Sequence, residues 1–583
     1  MKKIINKPED VVTEMCKGMA LAHRELVFAD DYKGIKRREA TPDKVTLISG
    51  GGSGHEPAHG GFVGKGMLDV AVCGDVFASP SQIQVYKAIK ETKSDKGTLL
   101  IIKNYSGDMM NFKNAAQLAG EEGITVDYVK VDDDIAVQDS LYTVGRRGVA
   151  GTVLVHKIAG AAAEAGLSLA EVKAVANKAI SHVKSIGFAY TSCTVPAKGT
   201  PTFELGEDEM EYGVGIHGEP GIQREKVLTA DELAKRMVDA LVKELELTGE
   251  VKKVALLVNG FGGTPAQELY LLNYSVAKEL EARNITIGKT LVGNYMTSID
   301  MAGASISLLN LDDELEKYLN APCDTAGLKV TGHEMTEKAA IIEKESISRE
   351  AVSYQVQTKA SYAKVSEDKV TLENVIYMVD KMSESIIENE VPFCEVDAHA
   401  GDGDFGMSVA KGFRELKKDW NHVIENQSIG GFLMDSSMVI MEYCGGASGP
   451  IWGSAFRAAG LFAGDRKELT LSEFAEMMQA AVKGIQETGK RSFGRGAVVG
   501  DKTLIDALVP CADTLSRMAS AKDVKAALME GAKAAVEGAK ATEKIVARMG
   551  RAGAVGERSL GYPDAGAYGL GVIFTDVARS MEN

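Results

Sequence analysis

The sequence predicts a two-part protein, an α/β region with two lobes followed by an all-helical domain, and three observations predict it. Short β-branched runs alternate with helical patterns through the first half of the chain, a charged stretch poor in glycine and large aromatics follows at 332–368, and beyond it apolar residues recur with a helical period. A chain of 583 residues that is 45% hydrophobic exceeds what one core fills, usually about 250–300 residues, so division into domains is expected.

In order along the chain, the runs "KVTLIS", "LDVAVC", "TLLIIK" and "TVDYVKV" are each followed by glycine or polar residues, the rhythm of a largely parallel sheet with crossover helices. The pattern changes near Gly187, where the two lobes are expected to divide, and a segment punctuated by glycine and proline runs to Gly221. Thr229 and Glu232 then have capping-box spacing, and Leu233, Met237, Leu241 and Leu245 form one stripe of the helix they open. The runs "VALLVNGFGG" and "ITIGKTLVG" read as further strands and carry the α/β region to residue 331. Residues 332–368 are expected to be a linker. From 369 to 583 the reading is helical: Leu372, Val375, Ile376, Val379 and Met382 share a face, Thr470 with Glu473 opens a capped helix through "FAEMMQAAVKGI", and alanine-rich "VKAALMEGAKAAVEGAKATEKI" continues the pattern. No short-period repeat is present, which excludes a solenoid.

A formal net charge of −16 and a pI near 5.3 argue against a sequence-independent grip on nucleic acid or anionic lipid, both of which need clustered Lys and Arg. Small-molecule ligands are expected instead. The amino terminus "MKKIINKPEDVVTEM" lacks the apolar core and cleavage site of a signal peptide, and no run of about 18 apolar residues occurs, so a cytoplasmic protein without membrane attachment is expected. Cys16, Cys73, Cys193, Cys323, Cys394, Cys444 and Cys511 are scattered without a CxxC pair, the pattern of reduced, mostly buried thiols.

Two stretches carry chemistry. In "SGGGSGHEPAHGG", Ser49 to Gly61, the glycines resemble a phosphate loop, but His55-Glu56 stands where a Walker motif needs Lys-Ser or Lys-Thr. A bare backbone flanked by imidazoles suits a small, neutral, hydroxylated ligand bound by convergent hydrogen bonds. Further on, "GVGIHGEPG" isolates His217 between glycines, with almost no apolar neighbour in sequence. Histidine serves as a covalent nucleophile, Asp108 after the strand "TLLIIKNYSG" as a general base, and Lys103 as a hydrogen-bond donor to substrate. The structural alternative stays open: a glycine-flanked histidine closes a turn, and a strand-end aspartate caps the next helix.

The second stretch, "DAHAGDGDFG", crowds Asp397, Asp402 and Asp404 onto one glycine-bearing turn, where their repulsion is relieved by a hard divalent cation such as magnesium. An EF-hand is excluded, because no glutamate stands at the twelfth position of a loop with ligands at alternate residues. A solvated turn capping a helix that begins near Ser408 is the alternative. The glycine turns "CGGASGPIWG" and "GRGAVVGDKT" each offer backbone N–H groups near a helix start, as phosphate cradles do, and "GRAGAVGERSLG" adds Arg551 and Arg558 as phosphate or base contacts. Any one of these turns alone reads equally as a helix connection.

Taken together, "GGGSGHEPAHGG", "RRGVAGTVLVHKIAGAAAE", "GIHGEPGI" and "LVNGFGGTP" resemble the substrate-binding half of the dihydroxyacetone kinases, and "GDGDFG" and "GGASGPIWG" resemble their nucleotide-binding half. The resemblance spans nearly the whole chain in order, and both halves in one polypeptide are similar to the ATP-dependent form. It implies an α/β substrate domain joined to an eight-helix barrel, phosphorylation of dihydroxyacetone or another short ketose or aldehyde by ATP, a homodimer, and the following roles. His217 binds the ketone carbon as a covalent hemiaminal, and His55 and Asp108 assist the hydroxyl that receives phosphate. Gly52 and Ser53 contact substrate, Asp397, Asp402 and Asp404 hold Mg2+ against ATP, and Gly446 and Ser448 lie near the phosphates. The family's late arginine segment usually reads GRASY, whereas here Gly550 to Val555 reads "GRAGAV", which removes two hydroxyls near the nucleotide edge and leaves the nucleotide contact of Arg551 with less support. A sugar sensor that holds its nucleotide permanently, and an FAD-cleaving lyase using the same metal site, are the other activities compatible with these motifs.

Overall fold

The runs Thr46–Ser53, Val70–Val76, Thr98–Lys103 and Val126–Val131 are strands of one sheet in the computed structural model, which describes residues 2–138, 144–247, 252–332, 341, 352–366, 368–549, 553 and 556–582. The chain separates into two units, Met1–Ala340 and Ile341–Asn583.

In the first unit the sheet order is Leu26–Ala29, Gly34–Arg37, Val70–Val76, Thr46–Ser53, Thr98–Lys103, Val126–Val131. The last four strands are mutually parallel, and the first two form an antiparallel edge. The helices Gln82–Glu91 and Ser106–Glu121 follow strands Val70–Val76 and Thr98–Lys103 as crossovers. Thr46–Ser53 is buried at every residue, so its glycines end in the interior rather than at the surface.

A second sheet has the order Gln223–Lys226, Glu209–Tyr212, Val183–Ala189, Gly303–Asn310, Lys252–Gly260, Ile285–Gly293. The largely parallel sheet expected of the four amino-terminal runs is the first one, and this second sheet is mostly antiparallel. Only Lys252–Gly260 and Ile285–Gly293, joined through the helix Ala266–Glu281, run parallel; every other pair is antiparallel. Strand identity was readable from apolar runs, but direction depends on which strands become neighbours, and non-consecutive ones pair here. The sheet begins at Val183, so residue 187 lies inside a strand of the second lobe. The capping box forms as read: Glu232 N donates to Thr229 Oγ1 at 3.3 Å and Thr229 N to Glu232 Oε2 at 2.8 Å.

The helix Thr152–Glu164 is buried on all sides over Thr152–Ala163, the mark of a helix enclosed by protein. Its Gly160 lets the backbone of Gly66 and Met67 approach so closely that a Cβ would lie 2.4 Å from both Gly66 O and Met67 Cα.

The second unit is a ring of helices. Leu372–Glu388, Phe405–Lys418, Ile429–Tyr443, Ser448–Ala463, Leu471–Phe493, Ile505–Met518, Val524–Ala541 and Ala565–Ser580 each pack on the next, and the last returns to the first. Met378, Trp452, Phe456, Met477, Leu508 and Phe574 are among the side chains around an apolar cavity of about 160 Å³ inside the ring. The unit is not purely helical, because Lys369–Thr371 pairs with Glu468–Thr470 as a short antiparallel ribbon. Within the stretch expected as linker, residues 352–366 pack on this unit: Gln357 N and Thr358 N each donate to Asp380 Oδ2 at 2.8 Å, and the fully buried Lys417 ammonium joins Asp380 to Gln355 O.

Gly160→Ala is expected to destabilise the α/β unit by about 1–3 kcal/mol, because backbone must move to admit one methyl group. Urea unfolding followed separately for the two units checks this: the α/β transition shifts to lower denaturant and the helical transition stays in place.

Candidate active site

The α/β site assembles at the carboxyl ends of the first sheet's central strands, met by a loop from the second sheet. His55 follows Thr46–Ser53, Lys103 ends Thr98–Lys103, and Asp108 lies in the first turn of Ser106–Glu121. His217 comes from the connection between Glu209–Tyr212 and Gln223–Lys226, an antiparallel pair of the second sheet.

His55 is fully buried, its Nδ1 is 2.8 Å from the carbonyl of Thr297, and its Nε2 is 3.3 Å from His217 Nε2. A carbonyl only accepts, so His55 Nδ1 carries the proton. Burial and the Lys103 charge push the His55 imidazole down to about 3, so it is neutral at pH 7 and its Nε2 is an acceptor. His217 therefore donates its Nε2 proton to His55. The few apolar neighbours of His217 in sequence are replaced in space by Phe77 and Tyr105, whose rings meet it edge-on at 5.3 and 4.4 Å between centroids. Burial, with His55, Lys103 and Arg147 nearby, holds His217 well below the ordinary imidazole range.

Lys103 is fully buried, and its Nζ lies 3.8 Å from Asp108 Oδ2 and 5.1 Å from the Tyr105 ring centroid, without a hydrogen-bond acceptor among the described residues. Burial lowers the Lys103 ammonium and raises the Asp108 carboxyl, while their mutual attraction opposes both shifts. Gly51 brings bare backbone against this pair; a Cβ there would sit 3.1 Å from Lys103 Nζ and 3.2 Å from Asp108 Oδ2. Gly52 and Ser53 have evident structural duties: a Cβ on Gly52 would meet the Phe77–Ala78 backbone at 2.6 Å, and Ser53 Oγ donates to Gly74 O at 2.8 Å. Behind the loop lies a second imidazole pair that motif reading missed, His59 Nδ1 and His156 Nε2 at 3.0 Å, both buried.

In the helical unit, carboxylate oxygens of Asp397, Asp402 and Asp404 lie within 4.8 Å of one another. They line a cavity of about 260 Å³ with Gly446, Ser448 and Asp564. Asp397 ends the helix Glu390–Asp397, and its Oδ2 accepts the N–H groups of Asp404 and Phe405, so the capping role at the helix Phe405–Lys418 falls on Asp397. The turn before Ser448–Ala463 is made by Gly446 at φ +54°, and that helix opens onto the cavity. In the other glycine turn three backbone donors are taken: the N–H of Val498 by Asp501, and those of Gly500 and Thr503 by Asp506. Lys502, beside it, donates to the carbonyls of Ile545, Ser559 and Tyr562. Burial pushes Asp564 up to about 7, against the pull of the nearby Lys502 charge. All-oxygen donors at this spacing fit a hard divalent ion. Arg551 lies outside the described residues.

The buried imidazoles make a prediction. His55 and His156 are held down to about 3, and His59 and His217 well below the ordinary value. Unfolded histidines titrate near ~6.5, so their contribution is complete above that pH and is lost as pH falls from there toward about 3. Raised carboxyls such as Asp134 act in the opposite sense. Replacing His156 by Gln is expected to flatten the acid limb of the stability curve by about 1.4 kcal/mol per pH unit, measured by denaturant unfolding between about pH 6 and 4.

Known proteins match both halves of the chain. A Dak1 domain matches residues 17–327 and a DAK2 domain residues 399–579. The chain is 52% identical over 327 residues to the dihydroxyacetone-binding subunit DhaK of a PTS-dependent dihydroxyacetone kinase of Listeria innocua, covering 56% of this chain and 99% of that one. It is 35% identical to a D-erythrulose kinase of Mycolicibacterium smegmatis, covering 99% and 98% of the two chains. The crystal structure of the dihydroxyacetone kinase from C. freundii in complex with AMP-PNP and Mg2+ superposes with a TM-score of 0.61 at 31% identity, over 99% of both chains. With Dak1 and DAK2 domains in one polypeptide and whole-length relatives that are kinases of short ketoses, the chain belongs to the dihydroxyacetone kinase family.

Proposed function

We propose that the protein transfers the γ-phosphoryl group of ATP to a hydroxyl of dihydroxyacetone, with the ketone held as a hemiaminal on His217. The observation that carries this reading is the contact between two neutral imidazoles, His217 Nε2 and His55 Nε2, at 3.3 Å. His55 accepts the Nε2 proton of His217, which frees that nitrogen's electron pair for the carbonyl carbon. As the C–N bond forms, the carbonyl π pair moves onto oxygen, and the proton passes from His55 to that oxygen. Nothing is oxidised and nothing leaves. Glycerol has no carbonyl and forms no adduct, so the chemistry selects ketones and aldehydes over polyols.

Asp108 is suited to take the proton of the accepting hydroxyl, and Lys103 beside it stabilises the charge that develops. In the helical unit, Asp397, Asp402 and Asp404 would hold magnesium, which neutralises phosphate charge when bound. Gly446 and Ser448, at the amino end of Ser448–Ala463, present backbone dipoles to phosphate oxygens. The substrate half's 52% identity to a dihydroxyacetone-binding subunit supports dihydroxyacetone over a longer ketose.

The test is steady-state turnover with ATP and magnesium against dihydroxyacetone, glyceraldehyde, erythrulose and glycerol, with no phosphotransferase donor present. The highest kcat/KM is expected for dihydroxyacetone; absence of turnover with any of them rejects the reading. His217→Ala should abolish the adduct seen by mass spectrometry and erase discrimination against glycerol. Asp402→Asn should lower kcat by about a hundredfold or more while the adduct at His217 still forms. Near-normal turnover of that variant at low magnesium would refute the metal role.

A further inference from the structure

The loop that carries His217 is held at both ends by one side chain. Arg147 Nη2 donates to the carbonyl of Gly213 at 2.9 Å, where the loop leaves its strand, and Nη1 donates to Glu219 Oε1 at 3.1 Å, two residues beyond the histidine. The other oxygen of Glu219 accepts the backbone N–H of His217 at 2.8 Å. The third side of the guanidinium is fixed by Asp134, whose Oδ2 accepts from Nε at 2.7 Å. These side chains are buried, with Arg147 and Asp134 each 2% exposed and Glu219 8%.

Arg147 is itself immobilised. Its carbonyl accepts from Asp134 N at 3.0 Å, and the neighbouring Asp133 takes the N–H groups of Val149 and Gly151 at 2.8 Å each. Gly215 lies in the fork: a Cβ there would be 1.7 Å from Glu219 Oε1 and 2.7 Å from Arg147 Nη1. A buried triad of charges is a poor device for stability alone, since desolvation offsets most of the attraction and apolar packing would close a loop at no such cost. What the planar guanidinium adds is direction, because its donors lie in a fixed plane and reach two segments at once.

We propose that Arg147, acting through Glu219, is a positioning residue that fixes the His217 imidazole where it meets the substrate carbonyl. The inference rests on the reading of His217 as the residue that captures the ketone. Lysine at this position keeps the charge and loses the fork, so it holds one end of the loop and not both. A loop placed about 1 Å away costs roughly a hundredfold in a reaction that needs a defined approach, and the loss falls on adduct formation.

The experiment uses the full-length enzyme and its Arg147→Lys, Glu219→Gln and Gly215→Ala variants, with dihydroxyacetone isotopically labelled at the carbonyl carbon. NMR reports the conversion of the ketone to a tetrahedral carbon on the protein, and kinetics give KM and kcat separately. KM for dihydroxyacetone is expected to rise about tenfold or more in Arg147→Lys, with kcat changed by less than about threefold and the tetrahedral signal lost at ketone concentrations that saturate the parent enzyme. Glu219→Gln and Gly215→Ala should move KM in the same direction. A merely structural role would lower the amount of folded enzyme and leave KM and the signal per folded molecule unchanged, which would overturn the proposal. Should Arg147→Lys fail to fold, the near-isosteric Glu219→Gln decides: parent KM and a full signal there refute it. Absence of the tetrahedral signal in the parent enzyme rejects carbonyl capture by His217 and the clamp with it, whereas a signal that survives in the parent and in every variant rejects the clamp alone.

Discussion

An imidazole is a nucleophile only while it is neutral, and the proposed reaction depends on keeping His217 so. Water would let it ionise near neutral pH; removal of water, two edge-on aromatic rings and the nearby Lys103 and Arg147 charges hold it uncharged. The surrounding arrangement follows from that requirement. A pocket dry enough to disfavour imidazolium also penalises Lys103 and Asp108, so these occur as a pair. The wall on that side has to be backbone, and Gly51 supplies it where a methyl group would press on both charged ends.

The helical unit solves an opposite electrostatic problem. Its cavity gathers Asp397, Asp402, Asp404 and Asp564, with the Lys502 ammonium, itself held by three carbonyl groups, on the same lining. In the proposed reaction such a surface would take nucleotide together with a divalent metal. On the proposed function, one half of the chain holds an uncharged ligand in a buried site and the other a highly charged one through an ion.

Much of this was legible in the sequence because it is locally encoded. Apolar runs fixed the strands, Thr229 with Glu232 and Thr470 with Glu473 fixed two helix starts, and glycines around His217 and the three aspartates marked both sites. What stayed hidden depends on distance along the chain. Arg147 sits beside Glu219 only after the second sheet has formed, and Phe77 and Tyr105 become the walls of His217 by the same route. The Glu two residues after His217 was visible as a motif letter, but its partner was not. Glycine content alone also left unseen that Asp501 and Asp506 occupy the N–H groups of Val498, Gly500 and Thr503. The direction of the strands in the second sheet was equally unreadable, since an apolar run carries no label for its neighbour.

In the proposed reaction the residue that captures the ketone, His217, hangs from the second sheet, and the carboxylate that takes the hydroxyl proton, Asp108, stands on a helix of the first. A symmetric ketose offers two identical arms in solution. With its central carbon tethered to His217 inside a chiral pocket, as proposed, the arms would become inequivalent, and only one would supply the hydroxyl whose proton goes to Asp108. In an unsymmetric ketose the same tether makes regiochemistry a property of how the two lobes are mounted, independent of the intrinsic acidity of the hydroxyls. Exchange of the two ends of such a substrate would then require remounting the lobes, a change that substitution of the reacting side chains does not provide.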